Sequence, residues 1–326
     1  MVRLLIMPLL MFTGFLLCEQ AVSQPKLIKT IIVDAGHGGH DCGAVADYDN
    51  SLRSKEKDVT LAISLKLIAE LKKQIPDINV YPTRTTDIYQ SVVEKAAIAN
   101  QYKGDLFLCI HADSGPQGYG KKQTGTRTVT KYNITYEGTG KNRKKIKTPY
   151  TVEEPVYTTV RKPFGRNGTS VWIFAAHKTS DKLKAIMSEV GQSEDEFEIE
   201  SGNEKDTANP GFDVNTPEGR MLAQVYAKLY QEKSDHLAQL VNEEVDKTGR
   251  KGLGVNQRQK GIWVLQATNM PAILIETGFI NNDVDEQYLN SEKGQQELAE
   301  CITKAVIRYK KSLEDAQRAT GAAPKP

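Results

Sequence analysis

Cysteine is scarce. The chain of 326 residues holds four, and none forms a Cys-x-x-Cys pair. That excludes a disulfide-stapled scaffold and a zinc ribbon, and a chain of this length buries enough apolar surface to need neither. A second long hydrophobic run is also missing, which excludes a multi-span membrane protein. So is an excess of one charge: 43 Lys and Arg stand against 41 Asp and Glu, for a formal +2. That balance argues against nucleic acid as a partner of the whole surface and leaves room for a local basic patch. No internal repeat is found.

The one long apolar run lies at the start. Arg3 precedes Leu4 to Leu17, a stretch of 14 residues that is short for a bilayer span, and Ala21-Val22-Ser23 has the small-x-small form of a cleavage site. Residues 1–23 read as a secretory signal peptide, with no stable membrane insertion once it is removed. Two other readings are an uncleaved anchor and a lipoprotein acylated at Cys18. No stop-transfer flank follows the run, and Leu17 stands where lipoprotein processing wants a small residue. Cys42, Cys109 and Cys301 remain after cleavage. Three cannot all pair, and Cys109 within LFLCI reads as a small core residue.

The next segments alternate in type. KTIIVD (29–34) is a β-branched strand that ends at Gly36-His37-Gly38-Gly39. Glu56 to Gln74 has Val59, Ile63, Leu67 and Leu71 at helical spacing. Asn79–Pro82 is a strand, 91–102 a helix, and DLFLCIH (105–111) a strand apolar on both faces. The fold class is therefore α/β, a twisted, mostly parallel sheet with helices on both faces. Residues 115–168 break the pattern. They carry twelve Lys and Arg against three acids and alternate as two strands around a Gly/Lys-rich turn, a basic β-hairpin insertion. GTSVWIF (168–174) is again core strand. Residues 189–217 form an acidic, loop-like insertion. A helix over 218–245 turns Leu222, Val225, Leu229, Leu237 and Val241 inward. GIWVLQ (261–266) and AILIE (272–276) are further strands, 298–313 is the closing helix, and 315–326 is a disordered tail.

Four polar residues sit where apolar elements stop or start: His37, Glu56, His111 and Glu276. In an open α/β sheet the carboxyl ends of the strands line the binding crevice, which places three of them on one rim. Glu56 joins them if the 38–55 loop returns the helix start there. Two imidazoles and a carboxylate suit a catalytic zinc with one open position, and a further carboxylate suits proton transfer. Each residue has a plainer reading: Glu56 as a first-turn acid favoured by the helix dipole, His37 as a loop residue, and His111 as a hydrogen-bonded strand end. Glu276 is the hardest to explain plainly, because a carboxylate closing an AILI run is costly to bury alone.

VDAGHGG (33–39), EKDVTLAISLKL (56–67), TRTTD (83–87), AIANQYKGDLFLCIHAD (97–113) and LQATNMPAILIETGFINN (265–282) closely resemble, in order and spacing, the secreted zinc-dependent N-acetylmuramoyl-L-alanine amidases of bacterial division machinery. The resemblance spans about 30–113 and 168–310. It implies an amidase catalytic domain over 24–314 and a zinc ion (Zn2+) on His37, Glu56 and His111, with Glu276 as the catalytic acid/base. It further implies hydrolysis of the amide between N-acetylmuramic acid and L-alanine in peptidoglycan, in cell-wall remodelling and daughter-cell separation. The implied place is the periplasm, which agrees with the signal peptide, and the implied partners are peptidoglycan and a protein activator.

The basic insertion is not part of that family's core. It reads either as a wall- or partner-binding lobe or as a solvated loop. Residues 181–245 occupy the place where some family members carry a segment that blocks the zinc site through a Glu. Glu189, Glu194, Glu196, Glu198 and Glu200 are available here, and none aligns securely. The alternative is an acidic surface loop ahead of a packing helix. His177 falls either near the rim or at a plain strand end. His40 reads as a loop residue and His236 as part of a helix face.

Overall fold

The computed structural model describes residues 27–174, 216–258 and 262–319. The signal peptide with Cys18, His177, the five candidate blocking glutamates and 320–326 lie outside the described residues. So does the acidic insertion up to residue 215.

The chain forms β1 (Thr30–Ala35), α1 (Glu56–Gln74), β2 (Asn79–Pro82), α2 (Val92–Gln101), β3 (Leu106–Asp113), β4 (Gly118–Glu137) and β5 (Lys144–Lys162). It continues with β6 (Thr169–Phe174), α3 (Pro217–Lys247), β7 (Gly252–Arg258), α4 (Trp263–Ala267), β8 (Ala272–Phe279), α5 (Asp283–Asn290) and α6 (Glu292–Ala319). Six strands make one sheet in the order β2-β1-β3-β8-β6-β7. β1, β2, β3 and β8 run parallel. β6 pairs antiparallel to β8 and carries β7 alongside in its own direction.

Alternate residues of each central strand enter two separate cores, because successive side chains leave opposite faces. Ile31, Val33, Leu106, Leu108, Ile110, Ile273 and Ile275 pack under α1, α3 and α6. Ile32, Phe107, Cys109, Ala272 and Leu274 pack under α2 and α4. Burial on both sides accounts for strands that read as unbroken apolar runs.

Three expectations are corrected, and GTSVWIF, a core strand as expected, has its direction set. GIWVLQ is not a strand: residues 263–267 form a short helix whose Val264, Leu265 and Ala267 fill the second core, and the strand is the Gly-containing 252–258 just before it. A run of four apolar residues, Ile262 to Leu265, does not distinguish the two by periodicity. GTSVWIF runs against β8, so its carboxyl end at Phe174 leads to the opposite rim. On α3 the inward stripe set by Val245, Val241 and Leu237 continues through Ser234 to Ala227 and Ala223, which leaves Leu222 and Val225 exposed. The closing helix reaches Ala319 rather than stopping before Asp315. Lys310–Glu314 and Lys311–Asp315 pair one turn apart and Gln317 is buried, which extends the helix beyond its apolar stripe.

A buried polar layer ties β1 to its neighbours. The Asp34 carboxylate meets the Lys95 ammonium of α2 at 3.0 Å and accepts hydrogen bonds from Thr83 at 2.6 Å and the Cys109 thiol at 3.0 Å. Burial alone raises the Asp34 pKa, and the Lys95 charge together with these donors reverses that and holds it below the usual value. Arg84 then fastens the loop after β1 to the start of α1. Its guanidinium donates to the carbonyls of Ala35 (3.1 Å), Gly36 (2.9 Å) and Lys57 (2.8 Å). Lys57 reaches back to the Gly39 carbonyl and to Asp87, and Asp87 accepts from the Gly39 amide. TRTTD is thus the clamp that holds the glycine-rich loop against the helix.

Two outcomes follow for urea unfolding. Asp34→Asn strands a buried ammonium and is expected to cost about 3–5 kcal/mol, whereas Asp34→Asn with Lys95→Met costs less than that single change. Equal losses in the single and double variants would show that the pair does not hold the layer. Arg84→Lys keeps the charge but not the planar fork, and is expected to lose about 2–3 kcal/mol. A wild-type midpoint would remove the clamp from the account.

Candidate metal site

Glu56 is the first residue of α1, and no side chain caps that helix end. The loop supplies the missing acceptors instead. The Glu56 amide donates to the Ala44 carbonyl at 2.9 Å and the Lys57 amide to Cys42 at 3.2 Å. The far part of the loop is tied to α5, where the buried Glu286 carboxylate accepts from Tyr48, from Ser54 at 2.8 Å and from the Leu52 amide at 3.2 Å. The 38–55 loop therefore does return the helix start to the rim.

There the Glu56 carboxylate, buried with a side chain 7% exposed, lies between two imidazoles. His37 Nε2 is 3.1 Å from Oε2 and His111 Nδ1 is 2.8 Å from Oε1. The amides of Ala44 and Ala112 donate to the same two oxygens, at 2.8 and 3.1 Å. The imidazoles stand edge to face, with centroids 4.9 Å apart, and remain about one-fifth to one-quarter exposed. Ligand-type atoms of His37, Glu56 and His111 all lie within 4.8 Å of one another. Two nitrogens and a carboxylate converging in this way are a donor set of the kind zinc takes when it keeps a position open.

Local backbone makes this closeness feasible. Gly36 lies flat against His111, where a β-carbon would come within 2.6 Å of the ring. Gly43, at φ +62°, faces the Glu56 carboxylate and the His37 ring, and a β-carbon there would stand 2.5 Å from Oε2. His37 itself adopts φ 59°, a left-handed conformation uncommon for a residue with a side chain. Its other nitrogen, Nδ1, meets Asp41 Oδ2 at 2.8 Å. That carboxylate fixes the ring so that Nε2 turns toward Glu56, an arrangement typical of imidazoles that ligate metals. Asp41 was not singled out from the sequence. Its spacing of four from His37 in a turn-rich loop is the only signal.

Burial lowers the His37 pKa, but the hydrogen bond and charge of Glu56, then those of Asp41, outweigh it and push the group up to about 9. Glu56 shifts the opposite way: burial raises it, and the two imidazoles bring it far below the carboxylate range. The site thus concentrates negative charge that takes up a proton or a cation.

Glu276 lies beside His111 in register on the adjacent parallel strand, opposite Ser170 of β6, and is 4% exposed. The β3–β8 ladder shifts register just beyond this pair, between His111 and Asp113, as bulges do next to sites, and Thr277 donates to the His111 carbonyl at 2.7 Å. Asp34, Cys109 and His111 form a second cluster of ligand-type atoms. It is poorly suited to an ion. Lys95, Thr83 and Cys109 occupy the Asp34 oxygens, and burial, then the Asp34 charge, keeps the thiol protonated. His40 stacks on Tyr89 and His236 meets Tyr309 edge to face, so neither joins the cluster.

A sequence model of the family described as N-acetylmuramoyl-L-alanine amidase matches residues 31–308. The probable N-acetylmuramoyl-L-alanine amidase AmiB of Haemophilus influenzae is 25% identical over 283 residues, covering 86% of this chain and 52% of that protein. The N-acetylmuramoyl-L-alanine amidase AmiC of Escherichia coli is 24% identical over 280 residues, with the same 86% and 52% coverage. The chain spans about half the length of these curated relatives. Among solved structures, an N-acetylmuramoyl-L-alanine amidase from Clostridium difficile shares the fold at a TM-score of 0.52 and 24% identity, over 88% of this chain and 99% of that one. The matched stretch runs from the first strand of the sheet into its closing helix and takes in all four rim residues, so the chain belongs to the N-acetylmuramoyl-L-alanine amidase family.

Proposed function

We propose that the protein is a zinc-dependent amidase that cleaves the bond between the lactyl group of N-acetylmuramic acid and the L-alanine of the stem peptide. The observation that carries this reading is the convergence of His37 Nε2, His111 Nδ1 and the Glu56 carboxylate at the rim where Glu276 pairs with His111. Family membership supplies the substrate class. When bound, zinc polarises the scissile carbonyl and acidifies the attacking water.

The protein's own residues do the rest. Asp41 holds the His37 ring in one orientation, and Glu56 keeps both imidazoles turned inward. Glu276 takes the proton of the attacking water and delivers it to the leaving L-alanine nitrogen, so the C–N bond breaks with a neutral amine as product. We further assign the protein to the periplasm, exported by residues 1–23, in wall remodelling and daughter-cell separation with a protein activator. The described residues contain no helix long and apolar enough to cross a membrane.

Purified sacculi test the activity. Clearing that a chelator stops and added zinc restores, with released stem peptides beginning in L-alanine by mass spectrometry, is the expected result. Peptides cut at another amide of the stem would identify a peptidase instead. Glu276→Gln is expected to bind one zinc per chain and to lose about 10²–10⁴ in turnover. Hydrolysis at the wild-type rate would remove Glu276 from the chemistry.

A further inference from the structure

β4 and β5 leave the sheet as a ribbon of two strands only, registered from Gly118↔Lys162 to Glu137↔Lys144. At about 3.4 Å per residue it extends roughly 60 Å. Its base belongs to the candidate site's rim. β4 follows directly from β3, Phe164 packs on Phe279 and donates its amide to Asn281, and Asn281 bonds Gly115 in both directions. Beyond the base, no helix or third strand among the described residues covers the ribbon, although two-stranded ribbons are marginal in water.

Its two faces differ. Residues opposite one another in an antiparallel pair share a face. One face of the distal part carries Tyr132, Ile134 and Tyr136, paired with Pro149, Lys147 and Lys145. The three apolar side chains are about half exposed. Arg143 lies over the Tyr136 ring at 4.5 Å and Lys147 beside that of Tyr132 at 6.0 Å. Among the described residues, no carboxylate pairs with Arg143, Lys145 or Lys147. Of the ribbon's acids, Glu154 takes Arg127 and Lys131 closer in, Glu153 accepts from Thr128, and Glu137 stands at the tip in register with Lys144, one residue on from Tyr136 and so on the opposite face.

The edges are unsuited to strand addition. Pro149 and Pro155 remove donors from β5, and β4 is bulged between Gln123 and Gly125. A second copy would set like charge against like. What remains is a face of aromatic rings interleaved with unpaired cations. It matches a polymer of sugar rings, whose C–H faces stack on tyrosine, bearing carboxylates that the cations attract. We propose that this distal face binds peptidoglycan strands away from the candidate site and holds the sacculus against the rim from which the arm springs. The proposal rests on the reading of the substrate given above.

The test uses the full chain in two formats. Co-sedimentation with purified sacculi, in the Glu276→Gln background so that the wall stays intact, compares the native arm with Tyr132→Ser/Tyr136→Ser and with Arg143→Glu/Lys145→Glu/Lys147→Glu. Each arm variant is expected to weaken binding about tenfold, and native binding is expected to weaken with salt. In the Glu276 background, the same variants should cleave a short soluble muropeptide at the wild-type rate, which shows that the domain is folded. Wild-type sedimentation of both variants would overturn the proposal. So would a native arm that self-associates in light scattering, with variants that do not, since the face would then belong to a second copy. Failure of the native chain on the muropeptide would instead count against the proposed function.

Discussion

A single buried carboxylate organises the rim of the candidate site. Glu56 receives one imidazole from the end of β1 and one from β3, plus backbone donors from the loop before it and the strand beside it. Four donors share its two oxygens, more than the single amide oxygen of a glutamine accepts. The glycines at 36 and 43, the left-handed backbone at His37 and the Arg84 clamp all serve to bring other groups within reach of those two oxygens. The cost of burying the charge is offset only because the loop, the helix start and two strands meet there.

The rim residues were legible in the sequence for a reason tied to chain direction. Parallel strands that each end in a polar residue must deliver those residues to one edge, and His37, His111 and Glu276 obey this. Glu56 was legible as the opening of a helix, and its return to the rim depended on a loop whose path no periodicity encodes. Asp41 was not legible, because its role comes from a turn that reverses the chain over four residues. The strand order was equally hidden. Nothing local in GTSVWIF says that it runs against β8, and nothing in GIWVLQ separates one turn of helix from a short strand. On α3, alanines rather than leucines face inward over the first turns, with Ala223 and Ala227 buried beside Tyr226 and Tyr230.

The ribbon shows a different balance. Its alternation and charge were visible in sequence, and its pairing follows them from one end to the other. Its exposure was not visible, because a pattern of alternating residues predicts a face against something without naming it. Lysines, prolines and a bulge blunt its edges against pairing, while its aromatic face stays open.

The order of strands bears on how the molecule is made. β8 lies between β3 and β6, near the middle of the sheet, yet it is the last in sequence of the eight strands among the described residues. Until it inserts, β2-β1-β3 and β6-β7 are two fragments with no hydrogen bonds between them. Closure therefore waits on contacts some 160 residues apart in sequence, the pairing of His111 with Glu276 among them, and such non-local closure is slow. A nascent chain that has not yet delivered residue 279 holds an unfinished sheet. The rim is completed only as the strand carrying Glu276 locks the two fragments together.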